Sequence, residues 1–214
     1  MSKGFLAIIA IVVLVFIGIF AFSGHDKSNS ANKSSSSKGT PTSHVEGKGQ
    51  SGVTLVEYGD YQCPYCEQYY PIVKQVAAEF NDQIKFQFRN FPLVSIHQNA
   101  FAGARAAEAA AAQGKFWQMH DLLYENQSQW SESSNPTQFF QQYAKQLGLN
   151  VAQFNKDYSS NAVNNAINAD TDAGNKLKVQ GTPTFFLNGK QIQVNADAGS
   201  FETQIKQAIQ QKKS

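Results

Sequence analysis

Cys63-Pro64-Tyr65-Cys66 decides how this chain is read. These are the two cysteines of a 214-residue sequence, and they stand three positions apart. Before them runs Val53-Thr54-Leu55-Val56-Glu57-Tyr58, an apolar stretch of strand character, and after them a helical pattern from Tyr69 to Phe80. Two thiols at i and i+3 on the first turn of a helix share one face and lie close enough to close a small disulfide ring. Cys63 falls at the helix N-terminus, where unpaired N–H groups and the macrodipole favour a thiolate. Such a setting lowers a cysteine pKa from about 8.5 to roughly 3.5–7.5. Pro64 suits the first turn, where its missing N–H costs no helical bond. Cys66, one turn in, is expected to be the more buried, resolving thiol.

Two plainer readings of the pair fit less well. A structural disulfide across two intervening residues closes a tiny loop and stabilises little. A zinc site needs four ligands, usually a second Cys/His pair, and His25, His44, His97 and His120 offer no such spacing. No metal and no cofactor is expected.

The chain divides into three parts. Phe5 to Phe22 is an 18-residue run without a charged or strongly polar side chain, the lower end of what spans a bilayer. It is longer than the apolar core of a cleaved signal peptide, although Ala21-Phe22-Ser23 also fits a cleavage site. Residues 1–22 are therefore expected to form a single-pass signal anchor. Lysines flank both ends, which does little to orient it. The short N-terminal tail and large C-terminal part place the latter outside the cell membrane. Residues 23–51, rich in Ser, Gly, Lys, Asn and Thr, have almost no large apolar side chain and are expected to be a disordered linker. Residues 52–214 are long enough for one domain with a real core. From Gly52 onward there are 13 Lys+Arg against 14 Asp+Glu, so the overall charge of +2 belongs to the tether and gives no sign of nucleic-acid binding.

Within the domain, Val53–Tyr58 suits a central strand buried on both faces. Glu57 interrupts it six residues before Cys63. It reads either as a strand-end carboxylate in water or as a buried acid beneath the cysteines, with its pKa raised by burial and able to exchange a proton with Cys66. Ile84–Arg89 alternates with period two and predicts a second strand. From His97 to about Lys176 the pattern is helical: an alanine-rich helix over Ala100–Ala112, a break at Gly114, and an amphipathic helix through Phe116–Tyr124. Asn135-Pro136-Thr137-Gln138 predicts a capped helix start, and Asn150 with Gln153 predicts another. His97, His120, Trp117 and Trp130 read as packing residues, and Asn126-Gln127-Ser128 matches a glycosylation pattern. Thr184–Leu187 and Gln191–Val194 flank Asn188-Gly189, a two-residue hairpin turn, and Phe201–Ile209 predicts a last helix. The fold class is α/β with an all-helical insertion over about 96–176.

Glu57-Tyr58-Gly59-Asp60-Tyr61-Gln62-Cys63-Pro64-Tyr65-Cys66 resembles the active-site entry of the DsbA-like thiol–disulfide oxidoreductases of the thioredoxin superfamily. Phe91-Pro92-Leu93 with His97, then Gln113–Trp117 and Met119–Leu123, resembles their helical insertion, and Gly181-Thr182-Pro183-Thr184 their cis-proline loop. The resemblance runs from about Val53 to Ile209. It implies a thioredoxin-like fold and a cis Thr182–Pro183 bond facing the cysteines. It also implies a substrate-binding surface formed by Pro64, Tyr65, Thr182 and Pro183, where the backbone of Thr182 pairs with an extended segment. Cys63 becomes the nucleophile, Cys66 the resolving thiol and Glu57 the buried acid of a proton relay. The implied activity is a bacterial disulfide oxidase acting on unfolded or reduced exported proteins and reoxidised by a membrane-bound partner. Tyr65 departs from the histidine of the strongly oxidising members and brings no positive charge, so a reductase or isomerase remains the alternative. A peptide-binding or chaperone module without turnover is the rival from another class.

Overall fold

The apolar pattern of Val53–Tyr58 is explained by its place in the sheet. The computed structural model describes residues 39–213. In it β2 (Val53–Gly59) pairs in parallel with β3 (Ile84–Asn90) on one side and antiparallel with β4 (Thr184–Leu187) on the other. The five-stranded order is β1-β3-β2-β4-β5, with β1 (His44–Glu46) antiparallel to β3 and β5 (Lys190–Ile192) antiparallel to β4. The hairpin between β4 and β5 turns on Asn188 and Gly189, both at positive φ, 50° and 81°, as a two-residue turn of this kind demands. Strand β5 ends at Ile192, shorter than the pairing expected to Val194.

One face of the sheet presents Val53, Leu55, Ile84, Phe86, Phe185 and Leu187. It is covered by α1 (Pro64–Glu79), through Val73 and Val76, and by α8 (Ala198–Lys213), through Phe201 and Ile205. The opposite face carries Tyr58, Phe91 and Phe186. Helix α7 (Asn161–Lys176) lies against it so closely that a Cβ at Gly174 would stand 2.7 Å from the Phe91 ring.

Between β3 and β4 the chain makes six helices. They are α2 (Ala100–Ala111), α3 (Phe116–Glu125), the short α4 (Gln127–Trp130), α5 (Thr137–Gln146), α6 (Val151–Tyr158) and α7. The alanine-rich α2 is the axis of this layer. Ala104, Ala106, Ala107, Ala109 and Ala110 are all buried, small side chains that let Trp130, Phe140 and Tyr61 crowd in. Asn150 caps α6 by accepting from the Gln153 N–H at 3.0 Å. The start of α5 differs from expectation. Pro136 is itself the flanking residue, and no side chain caps the helix.

The expected disordered linker over 23–51 is corrected at its C-terminal end. Thr42 is buried, and His44–Glu46 forms β1 on the edge of the sheet. The segment is held by polar bonds rather than apolar burial, so composition hides it. Thr42 donates twice to Asp170. His44 meets Glu108 at 2.8 Å and stacks on Phe116, with ring centroids 3.5 Å apart. The predicted span Phe5–Phe22, and the predicted linker as far as residue 38, lie outside the described residues. Among the described residues no helix is long and apolar enough to cross a membrane.

Candidate active site

Strand β2 delivers Glu57 and Gly59, then the chain turns. The N–H of Cys63 donates to the Asp60 carbonyl at 3.1 Å, and the N–H of Glu67 donates back to the Cys63 carbonyl at 3.1 Å. Cys63 is thus the N-cap of α1, in extended backbone (φ −71°, ψ 124°), with Pro64 in the first turn. Both cysteines are free thiols and both are buried; Cys66 is wholly enclosed and Cys63 is 4% exposed. Opposite them the Thr182–Pro183 bond is cis. The Cys63 thiol donates to the Thr182 carbonyl at 3.3 Å. The chain from Cys63 to Cys66 and the Thr182–Pro183 loop, 119 residues away in sequence, therefore meet at one point.

The environments of the two sulfurs are opposite. The hydrogen bond from Cys66 brings the Cys63 pKa down from 9.0 to about 6, against the opposing effect of burial. The Thr182 side chain and the first-turn N–H groups of Tyr65 and Cys66 pull the same way. The Thr182 Oγ1 atom is buried and has no hydrogen-bond partner among the described residues, which leaves a hydroxyl able to donate to Cys63 once the thiol has lost its proton. Burial pushes the Cys66 thiol well above its ordinary value, reinforced by the bond to Cys63 and the nearby Glu57. The Asp60 N–H, 3.5 Å from Cys66 Sγ, works against that rise.

Glu57 is buried, with no hydrogen-bond partner among the described residues, and burial raises its carboxyl to about 8, with the Cys63 charge adding to the effect. Of the two sequence readings, the strand-end carboxylate in water is therefore overturned. Its carboxyl lines a cavity of about 70 Å³ shared with His120 and Tyr124. The Tyr124 hydroxyl is also unpartnered. Glu46, Lys74 and Asp121 line the same cavity. Lys74 and Asp121 are partly exposed and paired at 2.9 Å. Unpaired polar groups around a space of this size are the conditions under which buried water is held.

Tyr65 is 65% exposed. Together with Tyr69, Thr182, Pro183, Gln191 and Gln193 it lines a groove of about 240 Å³ beside the cysteines. All seven residues singled out from sequence, Glu57, Cys63, Pro64, Tyr65, Cys66, Thr182 and Pro183, are thus drawn into one region.

Sequence reasoning missed the residues that hold this region from behind. Asp60 accepts from the Gln62 and Leu93 N–H groups and from His97 Nδ1 at 2.7 Å, so His97 is a hydrogen-bond partner of the turn rather than a packing residue. Gln62 accepts from the Asn99 N–H and donates to the Ser131 carbonyl. Gln127 donates to the carbonyls of Tyr61 and Cys63, at 2.8 and 3.0 Å. It is buried, and the neighbouring Asn126 of the glycosylation pattern spends its amide on the Leu122 carbonyl. His120, enclosed by six aromatic rings, is the packing residue expected, and burial lowers its pKa to about 3.

Comparison with known proteins places this geometry. The thioredoxin family model (Thioredoxin_4) matches residues 39–207. A probable disulfide bond formation protein D of Bacillus cereus is 32% identical over 190 residues, covering 85% of this chain and 86% of that protein. A Na(+)/H(+) antiporter, NhaA 1 of Mycolicibacterium gilvum, is 37% identical over 161 residues, 73% of this chain, which spans only 25% of that relative's length. Among solved structures, oxidised BdbD from Bacillus subtilis superimposes with a TM-score of 0.70 at 25% identity, over 81% of this chain and 97% of the other. Alpha-DsbA1 of Wolbachia pipientis shares the fold, with a TM-score of 0.70 at 16% identity, over 80% of this chain and 93% of that one.

Proposed function

Because the chain belongs to the thioredoxin family, in its DsbA-like branch, we propose that it is a thiol–disulfide oxidoreductase that introduces disulfides into exported proteins through Cys63 and Cys66. The observation that carries this reading is the asymmetry of the two sulfurs, one thiol lowered to about 6 and its neighbour pushed far up.

In the oxidised form a substrate thiolate attacks Cys63 Sγ. The Cys63–Cys66 bond breaks as the mixed disulfide forms, and the electron pair departs on Cys66. The neutral carboxyl of Glu57 supplies the proton that converts Cys66 to a thiol, and the cavity behind Glu57 is the route for its replacement. A second substrate thiolate then attacks the substrate sulfur of the mixed disulfide, and Cys63 leaves as a thiolate. Thr182 and Pro183 hold the substrate backbone in extended form beside Pro64, with Tyr65 forming the exposed wall of the groove.

A stabilised Cys63 thiolate favours the reduced enzyme and hence the oxidising direction. The stabilising contacts come from Cys66, Thr182 and the first turn of α1. Tyr65, in the histidine position of the stronger oxidants, is therefore not required to bring charge. The name of the Bacillus cereus relative points to the same direction. Anchoring through Phe5–Phe22, an extracytoplasmic location and reoxidation by a membrane-bound partner complete the proposal and rest on the sequence. The test is oxidation of a reduced, unfolded protein by the full chain with its Cys63–Cys66 disulfide formed. Wild type is expected to transfer its disulfide and Cys63→Ser to lose all activity; thiol oxidation retained by Cys63→Ser would overturn the proposal.

A further inference from the structure

Asp60 stands between the strand that carries Glu57 and the helix that carries the sulfurs, and it touches both ends of the cysteine pair through its backbone. Its carbonyl accepts from the Cys63 N–H at 3.1 Å. Its N–H donates to Cys66 Sγ at 3.5 Å. The peptide groups of one residue therefore set where Cys63 starts its helix and what Cys66 meets when it becomes charged.

What fixes those peptide groups is the Asp60 side chain. It is completely buried. One carboxylate oxygen closes onto the Gln62 N–H at 2.8 Å, which holds the turn from within. The other takes the Leu93 N–H at 3.0 Å and His97 Nδ1 at 2.7 Å, which ties the turn to the loop after β3. Three N–H donors on one carboxylate leave it little freedom to rotate. His97 is anchored in turn, its N–H donating to the Leu93 carbonyl and its carbonyl accepting from Ala100 at the start of α2.

We infer that Asp60 and His97 are a positioning pair for the departure of Cys66: they hold the Asp60 N–H on Cys66 Sγ so that the thiolate formed when the disulfide opens has a donor waiting. This rests on the exchange reaction proposed above and assigns one of its steps. The substrate thiolate bonds to Cys63 Sγ, the Cys63–Cys66 bond breaks, and the electron pair goes to Cys66 Sγ. A fixed N–H aimed at the atom where charge develops lowers the barrier to that step without reorganising during it.

The experiment is single-turnover opening of the Cys63–Cys66 disulfide in the full chain by reduced glutathione at pH 7. The pH midpoint of Cys63 alkylation is followed in parallel. Asp60→Asn turns an amide NH₂ toward N–H donors and is expected to slow opening by about tenfold, since the Asp60 N–H is loosened rather than removed. His97→Ala is expected to slow it by roughly threefold, and His97→Gln, which keeps a donor for the carboxylate, to restore most of the rate. In each variant the Cys63 midpoint stays near that of wild type, which a general loosening of the site would not allow. If Asp60→Asn fails to fold, His97→Ala against His97→Gln carries the test alone. Wild-type opening rates in the folded variants, or a Cys63 midpoint that moves together with the rate, would overturn the inference. A wild-type disulfide that glutathione does not open, in a chain that also fails to oxidise reduced protein, would overturn the exchange reading and this step with it.

Discussion

Two of the buried carboxyl groups in this domain, Asp170 and Glu57, are treated in opposite ways. Asp170, on α7, receives five hydrogen bonds: two from Thr42, one from Arg89 at 2.9 Å, and two from Asn90. Glu57, on β2, receives none from the described residues and faces a small cavity. The first ties four segments of the chain together: its own helix α7, the edge segment before β1, the end of β3, and, through Asn90 and Glu108, helix α2. The second ties nothing. Burying a carboxylate is tolerable when every lone pair is met and costly when it is not. The difference separates a carboxylate that builds the fold from an acid that burial holds in its neutral form, the group proposed above to pass a proton to Cys66.

The largest effect should follow from removing the satisfied group. Asp170→Ala leaves the Arg89 guanidinium, the Asn90 N–H and Thr42 without their acceptor, and should lower stability by about 3–5 kcal/mol in denaturant unfolding. A loss below about 1 kcal/mol would show that the network is not what holds the edge segment to the core.

A smaller change of opposite sign is expected at Glu57. The unfolded chain gives up this proton near the ordinary 4.5, whereas the folded chain holds it to about 8. Between those values the unfolded state binds fewer protons, so stability falls as pH rises through that window and levels off above it. Glu57→Gln removes the dependence. Measured on oxidised protein, the variant should match wild type at pH 4 and exceed it by roughly 2–4 kcal/mol at pH 8. It should also slow thiol exchange, because Cys66 then leaves without a proton donor. A variant no more stable at pH 8 than at pH 4, relative to wild type, would place Glu57 in a satisfied environment like that of Asp170.

The contrast also marks how far the sequence could be read. The strand into Cys63, the proline in the first turn, the Asn188-Gly189 hairpin and the alanine helix were all legible, because each depends on neighbours a few residues away or on a simple period. Glu57 was legible as an acid out of place in an apolar strand. Thr42 and Asp170 were not: they lie 128 residues apart, and a threonine in a serine-rich stretch looks the same whether or not a carboxylate waits for it. The same holds for Asp60 with His97, 37 residues apart, and for Gln127, which reads as part of a surface motif yet grips the Cys63 carbonyl from 64 residues away. Polar satisfaction leaves no periodic trace, so the residues that position the site are the ones a linear reading passes over.

The central claim is that Cys63 and Cys66 are unlike sulfurs, tuned so that the reduced enzyme is favoured. The most direct test is the reduction potential of the full chain in glutathione buffers from pH 5 to 7.5. The account predicts a value more positive than about −200 mV at pH 7, above the glutathione poise. It also predicts a slope that changes near pH 6, from about 59 mV per pH unit, with both thiols taking up protons on reduction, to about 30 mV, with Cys66 alone doing so. A potential below the glutathione poise, with a slope of about 59 mV throughout, would mean that Cys63 is an ordinary thiol and that the chain does not work as an oxidase.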